Sequence, residues 1–157
     1  MRTALCPGSF DPITNGHLDI IRRSASIFDQ VLVTVFTNST KQPLFSAAER
    51  AKMAATACAG LPNVTVDTFE GLLVDYAKQK KVSVIVKGLR AISDFEMEFQ
   101  MAQMNKELEA SIETLFMMTR TEHLFLSSSI IKEIIRLGGD VQKFVPPAVY
   151  QRLRERF

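Results

Sequence analysis

The sequence predicts an α/β fold built on a parallel sheet of about five strands. Three observations carry the prediction. Short apolar, β-branched runs recur along the 157 residues, segments of helical periodicity alternate with them, and polar or glycine-bearing turns follow the runs. Two of the runs, residues 31–36 and 82–86, show little polar alternation, as strands buried on both faces of a parallel sheet do.

Taken in order, residues 4–6 read as the first strand. The stretch Pro7-Gly8-Ser9-Phe10-Asp11-Pro12-Ile13-Thr14-Asn15-Gly16-His17 is a strand-to-helix turn, and an amphipathic helix follows over 18–28. Gly8 and Gly16 lack a Cβ, so their N–H groups can approach a phosphate. Asn15 is placed to cap the helix, which puts His17 in its first turn. A helix N-terminus offers free N–H groups and a partial positive charge, and an imidazole there can donate to a phosphoryl oxygen. A loop of this composition can also be no more than a turn.

Residues 31–36 form the second strand, and 37–43 a polar loop. Ser46 and Glu49 make a capping box for an Ala-rich helix that runs to about residue 59 and stops near Gly60 and Pro62. Residues 64–66 read as the third strand, 72–80 as a helix and 82–86 as the fourth strand. Ser93 and Glu96 suggest a second capping box, opening a helix to about Leu108. Its apolar residues fall in two stripes: Met97, Met101, Met104 and Leu108, with Phe95, Phe99 and Ala102 beside them. That is too wide for one core face. Either the helix packs on the sheet and meets a second subunit, or it is sandwiched inside one domain. Residues 114–118 are the fifth strand. Ser127-Ser128-Ser129 caps a helix to Leu137, which Gly138-Gly139 stops, and Pro146-Pro147 starts a last helix over about 147–156. Arg152, Arg154 and Arg156 read as its solvated face.

Composition narrows the class. A chain of this length with 46% hydrophobic and 23% charged residues is expected to form one domain, residues 1–157. The net charge of +2 implies no strong polyelectrolyte partner, so nucleic acid is not the expected ligand. No apolar run approaches a membrane span, and Met1-Arg2-Thr3 leads into a short strand rather than a signal peptide. Cys6 and Cys58 are too few and too scattered for a disulfide framework or a zinc site, and a reducing cytoplasm is the simplest compartment.

The chemistry gathers at the carboxyl ends of the strands, where such sheets bind ligands. Lys41 follows strand two, Lys87-Gly88-Leu89-Arg90 follows strand four, and residues 120–129 follow strand five. Basic residues and backbone donors on the same edge as His17 suit a polyanion such as a nucleoside triphosphate. The Walker glycine-lysine-serine sequence, the Gly-x-Ser-x-Gly elbow and a recognisable Cys–His pairing are all absent. A covalent enzyme intermediate is therefore not expected.

Gly8-Ser9-Phe10-Asp11-Pro12 with Asn15-Gly16-His17 resembles the signature of the nucleotidyltransferase superfamily. Lys41 before Pro43, Lys87-Gly88-Leu89-Arg90-Ala91-Ile92-Ser93-Asp94-Phe95-Glu96 and Phe125-Leu126-Ser127-Ser128-Ser129 extend the likeness to nearly the whole chain. The Gly-Leu-Arg-Ala stretch with Asp-Phe-Glu is similar to bacterial phosphopantetheine adenylyltransferases in particular. The resemblance implies a Rossmann-like, doubly wound sheet with helices on both faces. It also implies transfer of AMP from ATP to 4′-phosphopantetheine, giving 3′-dephospho-coenzyme A and pyrophosphate. Ser9, Lys41 and His17 would be catalytic: Ser9 and His17 would hold the α- and β-phosphates, with His17 stabilising the transition state, and Lys41 would bridge the acceptor phosphate and the triphosphate. The ATP site would further include Phe10, Gly88, Leu89, Arg90, Glu98 and the loop His123, Leu124, Phe125, Leu126, Ser127, Ser128 and Ser129. The acceptor would meet Ser9 and Lys41, Lys87 would bind the acceptor phosphate or the triphosphate, and Leu72 and Leu73 would line the pantetheine channel. Mg²⁺ would enter with ATP, held mainly by phosphates and water. A homohexamer built from trimers, and inhibition by coenzyme A, are further implications.

Ser9 stands where many members have Thr, and Lys87 where many have Arg, so the hydroxyl and the charge survive but the guanidinium fork does not. Cys6 and Met97 replace frequent tyrosines and His123 a frequent tryptophan. His123 can touch the nucleotide or simply face solvent; Cys6 can be reactive or an inert strand residue; Asp11 can cap the helix, brace the loop or serve as an outer-sphere Mg²⁺ partner. Nicotinamide-mononucleotide adenylyltransferases and cytidylyltransferases share the opening loop but are not expected to carry the later motifs. A non-catalytic nucleotide-binding regulator would not be expected to keep His17, Lys41 and Arg90 together.

Overall fold

A computed structural model describes residues 2–37 and 42–157; Lys41 therefore lies outside the described residues. Strands β1 (Thr3–Gly8), β2 (Gln30–Thr37), β3 (Val64–Glu70), β4 (Val84–Leu89) and β5 (Glu113–Met118) form one sheet in the order β3-β2-β1-β4-β5. Every pairing is parallel. The chain winds outward from β1 to β3, then crosses to β4 on the other side of β1. The order thus reverses between β1 and β4, where a crevice opens beyond the strand ends.

Helices α1 (Asn15–Ile27), α2 (Ala47–Ala57), α3 (Leu73–Gln79), α4 (Ile92–Leu108), α5 (Ser128–Arg136) and α6 (Pro147–Arg156) connect and cover the strands. The core divides accordingly. One cluster joins Ala4, Val31, Val33 and Val35 to Ile21 of α1, Met53 of α2, Ile131 of α5 and Leu153 of α6. The other joins Leu5 and Ile85 to Val74, Tyr76 and Ala77 of α3. Neighbouring residues of β1 point to opposite clusters, as the period of two requires of a strand buried on both faces.

Local signals hold at several boundaries. Ser46 and Glu49 form the reciprocal capping box at α2, with Glu49 N donating to Ser46 Oγ at 3.2 Å and Ser46 N donating to Glu49 Oε2 at 2.8 Å. Ser127 caps α5 by accepting from Ile130 N at 3.1 Å, and Gly138 follows its end with φ +83°, a conformation that favours glycine.

Other boundaries move. Asn15 is not the cap of α1; Thr14 is, forming a capping box with His17, while Asn15 Nδ2 donates to Lys143 O at 3.0 Å. Helix α4 starts before the expected Ser93–Glu96 box: its N-cap is Ala91, without a side-chain bond. Strand β3 continues to Glu70 because residues 67–70 pair along Thr34–Thr37 of β2, a partnership invisible in its own polar sequence. Strand β4 begins at Val84 and runs through Lys87, Gly88 and Leu89, which pair with Phe116, Met117 and Met118; these residues end the strand rather than follow it. Arg152 and Arg156 are not merely solvated, since both bind Glu49 at the start of α2.

Helix α4 is not sandwiched. Phe95, Met97, Phe99, Met101, Met104 and Leu108 are 41–71% exposed in the single chain.

Candidate active site

The crevice between β1 and β4 holds a cavity of about 580 Å³. Its lining comes from the end of β1 and the following loop, the first turn of α1, the end of β4, one side of α4 and the start of α5. Two helix N-termini thus border one space, at Gly16-His17 and at Ser127-Ser128-Ser129. Both bring N–H donors and positive potential to it.

The opening loop is folded tightly back on itself. Phe10 adopts φ +46°, a costly conformation for a bulky residue, and its ring is buried. A Cβ on Gly8 would meet that ring at 2.9 Å, so Gly8 is needed for the ring to settle there. The Phe10 ring meets the His17 imidazole edge-on, with centroids 5.2 Å apart. The turn is braced from three sides. Asp11 accepts from Leu44 N at 2.9 Å and Phe45 N at 3.0 Å and pairs with Lys132 Nζ at 2.9 Å. Ser128 Oγ donates to Pro12 O at 2.8 Å. Arg50 Nη1 donates to Ser9 O at 2.7 Å. Asp11 is thus a loop brace.

His17 has a defined tautomer. Thr14 N donates to its Nδ1 at 3.0 Å, so Nδ1 is the acceptor and Nε2 carries the proton. Burial, reinforced by the Arg90 and Lys87 charges, lowers its pKa to about 4. The ring is therefore a neutral N–H donor near pH 7.

Two cations line the wall, each held by a carboxylate of α4. Lys87 Nζ lies 3.3 Å from Glu98. Arg90 donates to Asp94 from Nε at 3.0 Å and Nη2 at 3.2 Å, and its Nη1 donates to Leu126 O at 2.7 Å. Asp94 and Glu98 are four residues apart, one helical turn, and so present both carboxylates on one face. Cys6 also borders the cavity, but burial pushes its thiol up to about 11, which makes it an inert strand residue rather than a nucleophile. Among the described residues no group of three or more His, Cys, Asp or Glu side chains could hold a metal ion.

A second cavity of about 420 Å³ adjoins the first and shares Ser9, Ser128 and Ser129 with it. Phe36, Thr37, Arg50, Glu70 and Lys132 are among its other walls.

The first cavity brings together Ser9, Phe10, His17, Lys87, Gly88, Arg90, Glu98, His123, Leu126, Ser127, Ser128 and Ser129. Five other residues expected at the site lie outside both cavities. Leu89 is buried in the protein, Leu124 is exposed, and Phe125 is exposed with its ring edge-on to Phe144. Leu73 packs on the α3 cluster, and its neighbour Leu72 is exposed.

Residues 5–134 match the cytidylyltransferase-like family model. A phosphopantetheine adenylyltransferase of Caldanaerobacter subterraneus subsp. tengcongensis is 53% identical over 157 residues, covering 100% of this chain and 98% of the relative. One from Rubrobacter xylanophilus is 54% identical over 155 residues, covering 99% and 94%. The chain belongs to the phosphopantetheine adenylyltransferase family. Among solved structures, a Vibrio parahaemolyticus protein provisionally described as a nicotinate-nucleotide adenylyltransferase superposes with a TM-score of 0.71 at 19% identity, covering 98% of this chain and 91% of that one. A lipopolysaccharide core biosynthesis protein from Thermoplasma volcanium gives 0.55 at 20% identity, covering 76% and 97%. At these identities the likeness concerns the fold.

In this phosphopantetheine adenylyltransferase family member, three contributors escaped the sequence reading. Thr14 fixes the His17 ring through its backbone N–H. Asp94 holds Arg90, and the Arg90–Asp94 spacing of four was the available signal. Arg50, in the second turn of an ordinary Ala-rich helix, carried no signal at all.

Proposed function

We propose that the chain transfers the adenylyl group of ATP to 4′-phosphopantetheine by direct in-line attack, giving 3′-dephospho-coenzyme A and pyrophosphate, without a covalent enzyme intermediate. An oxygen of the acceptor phosphate attacks the α-phosphorus, the bond from that phosphorus to the β-phosphate oxygen breaks, and pyrophosphate leaves. The observation that carries this reading is a neutral imidazole N–H, two cations and two helix N-termini around one cavity, in a chain more than half identical to named phosphopantetheine adenylyltransferases. Such a site catalyses by alignment and by stabilising charge that develops on the phosphoryl oxygens.

In this reading His17 Nε2–H donates to the α-phosphate as it becomes pentacoordinate, with the Ser9 hydroxyl beside it. Lys41 bridges acceptor and triphosphate. Lys87 takes the acceptor phosphate, and Gly88, Arg90, Glu98 and the loop 123–129 hold the nucleotide. Mg²⁺ fits as the counter-ion of the triphosphate, screening its charge. The cavity carboxylates Asp94 and Glu98 are already paired with Arg90 and Lys87, and the nearby Asp11 with Lys132, which leaves phosphate and water oxygens to hold the ion.

Residues 1–157 act as one nucleotidyltransferase domain in this proposal, supported by the single sheet. Self-association, to a homohexamer by family likeness, is supported by the exposed apolar residues of α4. Feedback by coenzyme A is carried over from the family likeness alone. A cytoplasmic location is compatible with the helices: among the described residues none is long and apolar enough to cross a membrane.

The test is pyrophosphate release from MgATP, with 4′-phosphopantetheine and, separately, nicotinamide mononucleotide as acceptor. Release with phosphopantetheine alone is expected. Release only with the other acceptor overturns the substrate assignment, and silence with both overturns catalysis.

A further inference from the structure

Arg50 is a buried cation that the reaction scheme leaves unused. It lies on α2, is 3% exposed, and has no carboxylate within ion-pair distance among the described residues. Its guanidinium spends its donors on backbone carbonyls instead. Nε donates to Phe45 O at 3.0 Å, and Nη1 donates to Phe36 O at 3.1 Å and to Ser9 O at 2.7 Å. Burying an arginine on carbonyls alone is expensive, and a neutral side chain could not donate along the same three directions.

The three carbonyls are not random. Ser9 belongs to the loop that carries the site hydroxyl and leads to His17. Phe36 is the penultimate residue of β2, and Phe45 precedes α2, so the two flank the segment that includes Lys41. Asp11 completes the clamp by accepting the N–H groups of Leu44 and Phe45. Both flanks of the Lys41 segment and the backbone of Ser9 thus meet on one rigid planar fork. That fork also lines the second cavity, which shares Ser9 with the first.

We infer that Arg50 is a positioning residue for the adenylyl transfer: it fixes the Ser9 loop relative to both ends of the Lys41 segment, so that acceptor and α-phosphate are presented to each other in register. The inference rests on the proposed reaction. It concerns the attack geometry rather than nucleotide affinity, because the cations that face the first cavity, Lys87 and Arg90, are held independently by α4.

The test compares Arg50→Lys, which keeps the charge and loses the fork, with Leu153→Val, a core change on α6 outside both cavities. Arg50→Gln serves as a second variant. Melting temperature, ATP affinity by calorimetry and kcat for pyrophosphate release are measured for each. A displacement of about 1 Å in attack geometry costs on the order of 100-fold in rate. The expected result is a kcat roughly 100-fold lower in Arg50→Lys and at least as low in Arg50→Gln, with ATP affinity within about 2-fold of the parent. Leu153→Val should lower the melting temperature while the folded fraction keeps parental kcat. Parental kcat in folded Arg50→Lys overturns the inference, as does a loss in either Arg50 variant that merely tracks the unfolded fraction. No pyrophosphate from the parent protein is a separate outcome, and it overturns the reaction itself.

Discussion

At the scale of single residues, the site depends on which nitrogen of His17 carries a proton. The Thr14 N–H occupies Nδ1 and burial holds the ring neutral, with a pKa of about 4 in place of 6.5. Acidification should therefore destabilise the fold. Between the two values the unfolded chain binds a proton that the folded chain refuses, so stability rises with pH from about 4 to 6.5 and is complete above that. The melting temperature should fall as pH is lowered through this window, and His17→Gln should flatten that part of the curve. An NMR titration is direct, because the chain has only 2 histidines: the His17 Cε1–H shift should stay constant from pH 8 to about 5. A midpoint near 6.5 would contradict the neutral ring. His17→Ala should lower turnover by roughly 100- to 1,000-fold, the cost of losing one preorganised donor to developing charge, while ATP still binds. The residues at this scale were legible only in part. His17, Lys87 and Arg90 are chemical signals in a motif. The partners that tune them, the Thr14 N–H and the Asp94 and Glu98 carboxylates, act through distances that a sequence does not contain.

At the scale of elements, helix starts decide where the donors point. Ser46→Ala removes the side-chain cap of α2 and should cost about 1 kcal/mol. For a chain of this size that is about 2–4 °C in melting temperature. Turnover should stay near parental if the fork of Arg50 holds, which separates the cap from the clamp. Gly88 tests the contact between β4 and α1. A Cβ there would stand 2.9 Å from Ile20 Cγ1, a buried side chain of α1, at the floor of the cavity. Gly88→Ala should cost about 1–3 kcal/mol by overpacking, measured by denaturant unfolding, and should weaken ATP binding by displacing α1 and His17. Capping boxes read well where the spacing was uncontested, as at Ser46–Glu49. At α4 the Ser93–Glu96 spacing does not mark the start, because the helix already begins at Ile92 with Ala91 as its N-cap, and Asp94 pairs with Arg90.

At the scale of the whole molecule, α4 presents six large apolar side chains to solvent in the single chain, with Met97 71% exposed. Exposed apolar side chains in this number are what the proposed self-association would cover, and covering them would gain about 25 cal/mol per Å². Light scattering should give a mass above the 17.6 kDa of one chain, and Met101→Asp with Met104→Asp should return the protein to that value. A parental mass of one chain would remove the self-association proposal. Such an interface would also stiffen α4, and with it the Asp94 and Glu98 carboxylates that hold Arg90 and Lys87 in the cavity.

What the sequence determined by itself is the alternation of strands and helices, the edge of the sheet on which the chemistry gathers, and the family. These follow from local periodicity, turn residues and motif spacing, all properties of neighbours along the chain. What only the tertiary structure decided is the environment of each group. Strand β3 reaches Glu70 because β2 lies beside it, β4 takes in Lys87 to Leu89 because β5 does, and Leu73 faces the α3 cluster rather than either cavity. Arg50 shows the limit most plainly. Forty-one residues separate it from Ser9 in the chain, and only the packed fold brings its guanidinium within 2.7 Å of the Ser9 carbonyl. Burial, tautomer and hydrogen-bond direction depend on such long-range meetings, which no local pattern encodes.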